Sequence, residues 1–378
     1  MTKQQTYDVA IVGGGLAGLS ASIQLARRGY AVIVLEKETY PFHKVCGEYV
    51  SMESWNYLES LGLPLHQMNL PLIDTLFLSA PNGRSLTTKL PLGGFGISRF
   101  KLDEMLAQLA RAAGVTIRER CTVTAIEQDD NFSIHYNGGT VNALVCCAAY
   151  GKRSALDVKW NRSFLQKQDR RLENFIAVKY HVRAEWPKQV IGLHNFENGY
   201  CGVSKIEDDR YCLCYLTRAS NLKTSANDIQ QMEERYLFAN PQLKNIFSQS
   251  HKLAGFPITI AQVNFSNKTA VEHGVLMLGD AAGMIAPLCG NGMSIALHTG
   301  KIAATAIDLF LRKQINRKQM EVLYETEWRK HFQRRLQVGR VMQRFFGGKA
   351  LSNFFVSVFR ALPFLARPVI RQTHGAPF

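Results

Sequence analysis

Two short glycine-bearing stretches, far apart in the chain, have the residue types and spacing to bind a dinucleotide. Gly13-Gly14-Gly15-Leu16-Ala17-Gly18 directly follows the apolar residues 7–12, and Gly279-Asp280-Ala281-Ala282-Gly283 directly follows 274–278. In the first stretch Gly13 permits a tight turn, Gly15 lets the main chain approach a pyrophosphate, and Gly18 lets a helix pack closely on a strand. Glu36, which closes a second apolar run, can accept hydrogen bonds from ribose hydroxyls.

A strand, a helix and a second strand must position these residues. Residues 7–12 read as a buried strand. Residues 16–28 carry helical spacing at Leu19, Ile23, Leu25 and Ala26 and end at Gly29, and 31–35 supply the second strand. A pyrophosphate would rest on the helix N-terminus. This unit serves NAD and FAD alike, and the second stretch separates them. Asp280, at the carboxyl end of a buried strand, can bond a ribityl chain, which NAD lacks. A helix running from near Gly290-Asn291-Gly292-Met293 to about Leu311 would aim its positive end at the pyrimidine edge of a flavin. Glycine at 290 and 292 leaves room for the main chain beside the ring. The expected cofactor is FAD.

The chain has 378 residues, 46% of them hydrophobic and 20% charged. That is a globular composition, too long for one comfortable core. The fold expected is α/β: a Rossmann-like FAD-binding domain, a substrate domain on a mixed or antiparallel sheet, and a C-terminal helical region. The segments assigned are 1–72, 98–170 and 264–325 for the first, 73–97 and 171–263 for the second, and 326–378 for the third. Within the second, strand-like alternation runs over 177–182, 199–206 and 210–216, with turns at Pro81-Asn82-Gly83 and Asp208-Asp209 and a polar helix near 225–238. Such a sheet would roof the flavin and enclose an apolar pocket for a small hydrophobic substrate. The eight cysteines show no metal-ligand spacing and read as reduced thiols. No metal site and no Ser/His/Asp arrangement stands out, so the chemistry falls to the cofactor.

The net charge is +15 and it is concentrated at the C-terminus. Residues 301–378 carry 15 Lys/Arg against 4 Asp/Glu, with no acid after Glu327. Phe345, Phe346, Phe354, Phe355, Phe359 and Phe364 are interleaved with these bases. One reading is a helical cap with a solvated basic face. The other is a surface for anionic lipid headgroups. Arg360, Pro363, Arg367 and Pro368 break 351–370 as a membrane span. No nucleic-acid motif accompanies the charge. A cytoplasmic location, peripheral to the membrane through the tail, is the expectation; the oligomeric state is left open.

On these motifs the chain resembles the FAD-dependent group that includes para-hydroxybenzoate hydroxylase, the flavin-dependent halogenases and the geranylgeranyl reductases. The resemblance covers about residues 5–335. The late motif of that group, Gly-Asp-Ala-Ala, a proline, then Gly-x-Gly-Met, matches Gly279, Asp280, Ala281, Ala282, Pro287, Gly290, Gly292 and Met293. An arginine before Leu-Asp-x-x-Leu matches Arg99, Leu102, Asp103 and Leu106, which implies that Arg99 helps hold the FAD phosphates. The resemblance also implies cofactor contacts at Leu16, Ala17, Lys37, Lys44, Cys46, Val123 and Asn291.

One element departs from the group. Where it carries Ala-Asp-Gly-x-x-Ser, this chain has Ala149-Tyr150-Gly151-Lys152-Arg153-Ser154. The usual acid is a tyrosine, so NAD(P)H is a candidate electron donor whose usual handling is missing. Lys44-Val45-Cys46-Gly47 is similar to an element of the geranylgeranyl reductase branch, whose cysteine lies near the flavin, and makes Cys46 the catalytic candidate. The Trp-x-Trp-x-Ile-Pro signature of tryptophan halogenases is absent. The resemblance therefore points to reduction of a carbon–carbon double bond in an isoprenoid- or polyketide-like molecule. The alternatives are an aromatic monooxygenase, a halogenase, and an FAD-binding protein that docks on membranes without catalysis.

Overall fold

The apolar run near the N-terminus is β1 (Thr6–Val12), the central strand of a mostly parallel sheet. Its residues from Val9 to Val12 are buried on both faces, as a strand covered by helices requires. It pairs in parallel with β2 (Val32–Leu35) on one side and β9 (Gly139–Ala148) on the other. Beyond β2 lies β6 (Thr116–Arg118), and beyond β9 lie β17 (Val275–Met277) and β16 (Val271–Glu272). The hairpin β7 (Val123–Gln128) and β8 (Phe132–Tyr136) joins the edge of β9. The computed structural model describes residues 6–166, 174–286, 290–345, 348–362, 372 and 375–378.

The longer helices are α1 (Leu16–Arg27), α2 (Arg99–Ala112), α3 (Pro241–Gln249), α4 (Gly292–Leu311), α5 (Arg317–Trp328), α6 (Arg334–Phe345) and α7 (Lys349–Ala361). The closest pair is α1 with α4, and Gly300 is what permits the approach. A Cβ there would lie 2.6 Å from the Ala17 carbonyl oxygen and collide with Ser20. Among the described residues α4 alone is long and apolar enough to cross a membrane, but it is held between α1 and α5.

The second sheet runs β14 (His251–Lys252), β10 (Phe175–Arg183), β13 (Tyr211–Arg218), β12 (Gly199–Lys205), β11 (Val190–Phe196), β4 (Leu72–Ser79), β5 (Ser85–Gly96) and β3 (Tyr49–Ser51), with β15 (Ile258–Val263) also on β10. Most pairs are antiparallel; β11 with β4 is parallel, which makes the sheet mixed. The turn at Asp208-Asp209 has both residues left-handed, at φ 57° and 54°. Two details differ from what the sequence pattern suggests. β3 joins this sheet, although it falls inside the segment 1–72 assigned to the cofactor domain. It pairs Tyr49 with Gly96 and Ser51 with Gly94, where glycine is needed because a side chain at 94 would strike the Tyr49 ring. The helix expected over 225–238 is shorter, Ile229–Met232 followed by the wide turn Glu233–Leu237.

The tail packs back on the body. Tyr324 in α5 donates to the Met277 carbonyl at 2.6 Å, and Arg335 in α6 pairs with buried Glu53 at 2.8 Å. The ring of Phe378 stacks on His298 at 4.1 Å. α7 lies on the β4–β5 hairpin, with Val356 buried against Leu78 and Ala80.

Candidate cofactor and substrate site

The first elbow follows β1 at once. Gly13 is left-handed at φ +106°, and a Cβ there would lie 2.5 Å from the Ala149 carbonyl oxygen. At Gly18 it would collide with the Gly13 carbonyl, so helix and strand meet only because both positions are bare. Glu36 is buried, accepting from the Gly14 N–H at 2.7 Å and the Glu38 N–H at 3.0 Å. Gly15 differs from its neighbours. A Cβ there would clear all main chain and meet Lys44 Nζ at 3.6 Å and an Arg99 Nη at 3.7 Å. The opening in front of the α1 N-terminus therefore faces two cations, a cradle for an anion.

Those cations are pre-set. Arg99 opens α2 and grips Asp103 one turn later, Nε to Oδ1 at 2.6 Å and Nη2 to Oδ2 at 2.7 Å; Lys44 reaches the same carboxylate at 3.0 Å. Burial raises the Asp103 pKa, and Arg99 and Lys44 more than reverse that, leaving it below the usual carboxylate range. One carboxylate against two cations leaves the cradle net positive.

The second elbow lies against the first. Gly279 is left-handed at φ +59°, and a Cβ there would sit 3.3 Å from the Ala17 Cβ. Residues more than 250 positions apart in sequence thus share one wall. Asp280 follows, and Lys268 Nζ holds its carbonyl at 2.8 Å. Burial raises the Asp280 pKa, opposed by Lys152, Lys268 and Arg99, and among the described residues no hydrogen-bond donor reaches its carboxylate. That carboxylate is a fit for ligand hydroxyls. α4 begins at Gly292 behind buried Asn291, with Met293 buried in its first turn. Gly290 is left-handed at φ +70°, and a Cβ there would press on the Tyr49 ring at 3.0 Å. Pro287 lies outside the described residues.

The third wall is one that motif spacing did not anticipate. Glu48, two residues after Cys46, is fully buried and left-handed at φ 55°. Its Oε1 accepts from Lys179 Nζ and from the Arg99 N–H at 2.8 Å, and its Oε2 lies 2.6 Å from His181 Nε2. Lys179 Nζ also donates to the Lys44 carbonyl at 3.1 Å, and Cys212 Sγ to the Cys46 carbonyl at 3.2 Å. Side chains of β10 and β13 thus fasten the loop that carries Lys44 and Cys46. Burial raises the Glu48 pKa, but Lys179 and His181 prevail and hold it below the ordinary range. The same attraction outweighs burial at Lys179 and raises its pKa. Glu48, His181 and Cys212 offer three metal-ligand atoms within 4.8 Å of one another, but a cation there would displace the Lys179 ammonium.

Cys46 is half-buried and its Sγ accepts from the Glu48 N–H at 3.5 Å. Burial pushes its thiol pKa up, with Arg99 opposing, so the thiol keeps its proton at neutral pH. Burial, and after it the neighbouring Cys46, push the Cys214 thiol up to about 12. His43 packs on Phe100 and Phe256 with ring centroids at 4.6 and 5.0 Å, and burial lowers its pKa to about 4; it is an uncharged packing residue. Tyr150, in place of the usual acid, donates to Asp157 at 2.6 Å. Arg162 is buried at 1% exposure and binds Asp157 at 3.0 Å, the Ala281 carbonyl at 3.0 Å and the Thr269 carbonyl at 3.1 Å. The Tyr150 hydroxyl is therefore committed to a brace beneath the second elbow.

The structure brings together Gly13, Gly15, Leu16, Ala17, Gly18, Lys44, Cys46, Arg99, Gly279 and Asp280. Val123 is buried at the start of β7, next to the segment where the Cys121 N–H donates to the Glu36 carbonyl at 2.8 Å. Lys37 is not brought in: its side chain is 69% exposed and lies 3.8 Å from Glu38 on the surface. Carboxylates and lysines on strand β10 or in a loop carry no spacing signal, which is why Glu48, Lys179 and His181 escape a motif search. The bare cradle at Gly15, its two cations and the unpartnered Asp280 carboxylate fit the pyrophosphate and polyol of FAD.

The sequence pattern of the family described as FAD binding domain matches residues 6–337. A digeranylgeranylglycerophospholipid reductase of Methanococcus vannielii is 25% identical over 357 residues, 87% of this chain and 84% of that protein. The conditioned medium factor receptor 1 of Dictyostelium discoideum is 22% identical over 373 residues, 90% of this chain and 71% of that protein. Among solved structures, a geranylgeranyl bacteriochlorophyll reductase-like protein from Thermoplasma acidophilum superposes with a TM-score of 0.80 at 19% identity, covering 98% of this chain and 96% of its own. The flavin-dependent brominase Bmp2 does so at 0.79 and 20%, covering 99% and 94%. At these identities the structures show the fold.

Proposed function

From the premise that this chain belongs to the FAD binding domain family, we propose that it is a flavin-dependent oxidoreductase that adds hydrogen across a carbon–carbon double bond of a hydrophobic, isoprenoid- or polyketide-like substrate. FAD, once reduced, supplies the hydride. Gly15, Lys44 and Arg99 would hold its pyrophosphate, Glu36 the adenosine side and Asp280 the ribityl hydroxyls. The protein must then deliver a proton to the second alkene carbon. The observation that carries this reading is Cys46: a half-buried thiol kept protonated by burial, on a loop fastened to the substrate sheet through Glu48 and Lys179. Arg99 stabilises the thiolate left after transfer. The similarity to the Methanococcus reductase supports this choice of reaction. NAD(P)H is proposed as the source of reducing equivalents.

The test is single turnover of the reduced holoenzyme, without oxygen, on prenylated and polyketide alkenes. Mass spectrometry should show product carrying two added hydrogens, and Cys46→Ser should slow its formation at least about tenfold. Product that appears only with oxygen and carries an oxygen atom would replace this reading with a monooxygenase. A flavin inert to every acceptor would leave a non-catalytic binding protein.

A further inference from the structure

The side chain of Lys268 ties the second elbow to the first. It lies on the crossover, residues 264–270, that returns from β15 in the second sheet to β16 in the first. Its ammonium donates to the Lys152 carbonyl at 2.7 Å and to the Asp280 carbonyl at 2.8 Å, and it lies 4.8 Å from the centre of the Phe164 ring. Lys152 belongs to the loop after β9, and the Ala149 carbonyl of that loop is what Gly13 packs against. One cation therefore holds the first elbow, through this loop, to the second. Among the described residues no carboxylate forms an ion pair with it. Two carbonyls and a ring compensate poorly for a charge taken out of water. Tethering two carbonyls needs a donor but not a charge, so the charge calls for an anion that arrives from outside the chain.

We propose that Lys268 is a positioning residue of the FAD site, which clamps the two elbows around the cofactor and takes up a proton as the anionic cofactor enters. The proposal rests on FAD occupying the cradle, and on no particular reaction. Burial lowers the Lys268 pKa to about 8; Asp157 and Asp280 oppose this, while Arg162 and Lys152 add to it. Glu272 stands one step further out, bonded to Arg162 at 3.2 Å. In mild alkali the flavin-free chain thus holds this amine partly neutral. The pyrophosphate of FAD adds negative charge, which favours the ammonium and raises its pKa. Linkage then requires FAD to bind more weakly as pH rises through about 8, by up to about tenfold per pH unit while one proton is taken up. Folding moves the other way. The folded pKa lies below the 10.5 of a free lysine, so the unfolded chain keeps the proton more firmly. Between those two values the flavin-free fold gains stability from Lys268 as pH rises. A lysine that only braced the fold would leave FAD affinity independent of its proton.

The experiment is titration of the flavin-free, full-length chain with FAD from about pH 7 to about pH 9.5, followed by flavin fluorescence. Calorimetry in two buffers of different ionisation enthalpy, at about pH 8.5, counts the protons. Wild type is expected to lose affinity above about pH 8 and to take up a proton on binding. Lys268→Arg, which keeps the charge, should bind as wild type does near neutral pH and show neither the loss nor the uptake. Lys268→Met should bind about tenfold or more weakly near neutral pH, with circular dichroism reporting the fold. A wild type that takes up no FAD near neutral pH would fail the cradle and this proposal together. Where wild type does bind FAD, three results would overturn the proposal and leave the cradle standing: a flat wild-type profile, a Lys268→Arg profile that keeps the wild-type step, or a Lys268→Met chain that binds as wild type does.

Discussion

Two sides of one candidate site are built on opposite principles. The wall at β1 and β17 is made of main chain: glycines at 13, 15, 18 and 279 clear space, and a helix N-terminus supplies the partial charge. The wall at β10 and β13 is made of side chains, with Glu48, Lys179, His181 and Cys212 drawn from strands and a loop scattered along the chain. A main-chain wall fails by collision, and a side-chain wall fails by leaving a charge without its partner. The first suits a ligand common to a whole family. The second is free to vary, and it lies on the sheet that would cover the substrate.

Breaking the main-chain wall should give the largest effect. Gly13→Val combines a left-handed φ with contact on the Ala149 carbonyl, at a cost of about 3 kcal/mol or more. Little soluble flavoprotein should be recovered, and a normal yield of loaded protein would contradict the placement. Next is Lys179→Met, which strands the buried Glu48 carboxylate. Removing one partner of such a pair costs about 3–5 kcal/mol. Glu48→Gln with Lys179→Met should recover most of the lost melting temperature, and a double variant no better than the single would show that the charge is not the cause.

Asp280→Ala should leave the circular dichroism unchanged while weakening FAD retention roughly tenfold, the loss of a charged hydrogen bond. Near-normal flavin occupancy would refute its role. The smallest effect is in acid. The folded pKa of Glu48 lies below its unfolded value, so its contribution is present above about pH 4.3 and is lost as pH falls through the folded value. Acid unfolding of Glu48→Gln with Lys179→Met should lack that component, which comparison of the two melting curves against pH would reveal.

The contrast between the walls also explains what the sequence makes legible. Glycine spacing after an apolar run is a local signal, so β1, α1, β2 and the start of α4 are readable from residue order alone. The Cys46 loop is readable only through family resemblance. Lys179 and His181 alternate with Val178, Tyr180 and Val182 on β10, a pattern any half-buried strand shows. Only the register of β10 against β13, with His181 opposite Cys212, brings them to one face. Tyr150 is visible as a departure, but its bond to Asp157 and the Arg162 brace depend on a loop return no periodicity encodes.

The most direct measurement is titration of the folded, flavin-free chain with FAD, followed by absorbance and calorimetry, with NAD as the control. Two elbows meeting in one cradle predict one FAD bound per chain and no binding of NAD in its place. A well-folded preparation that stays colourless with FAD in excess would contradict the existence of that cradle.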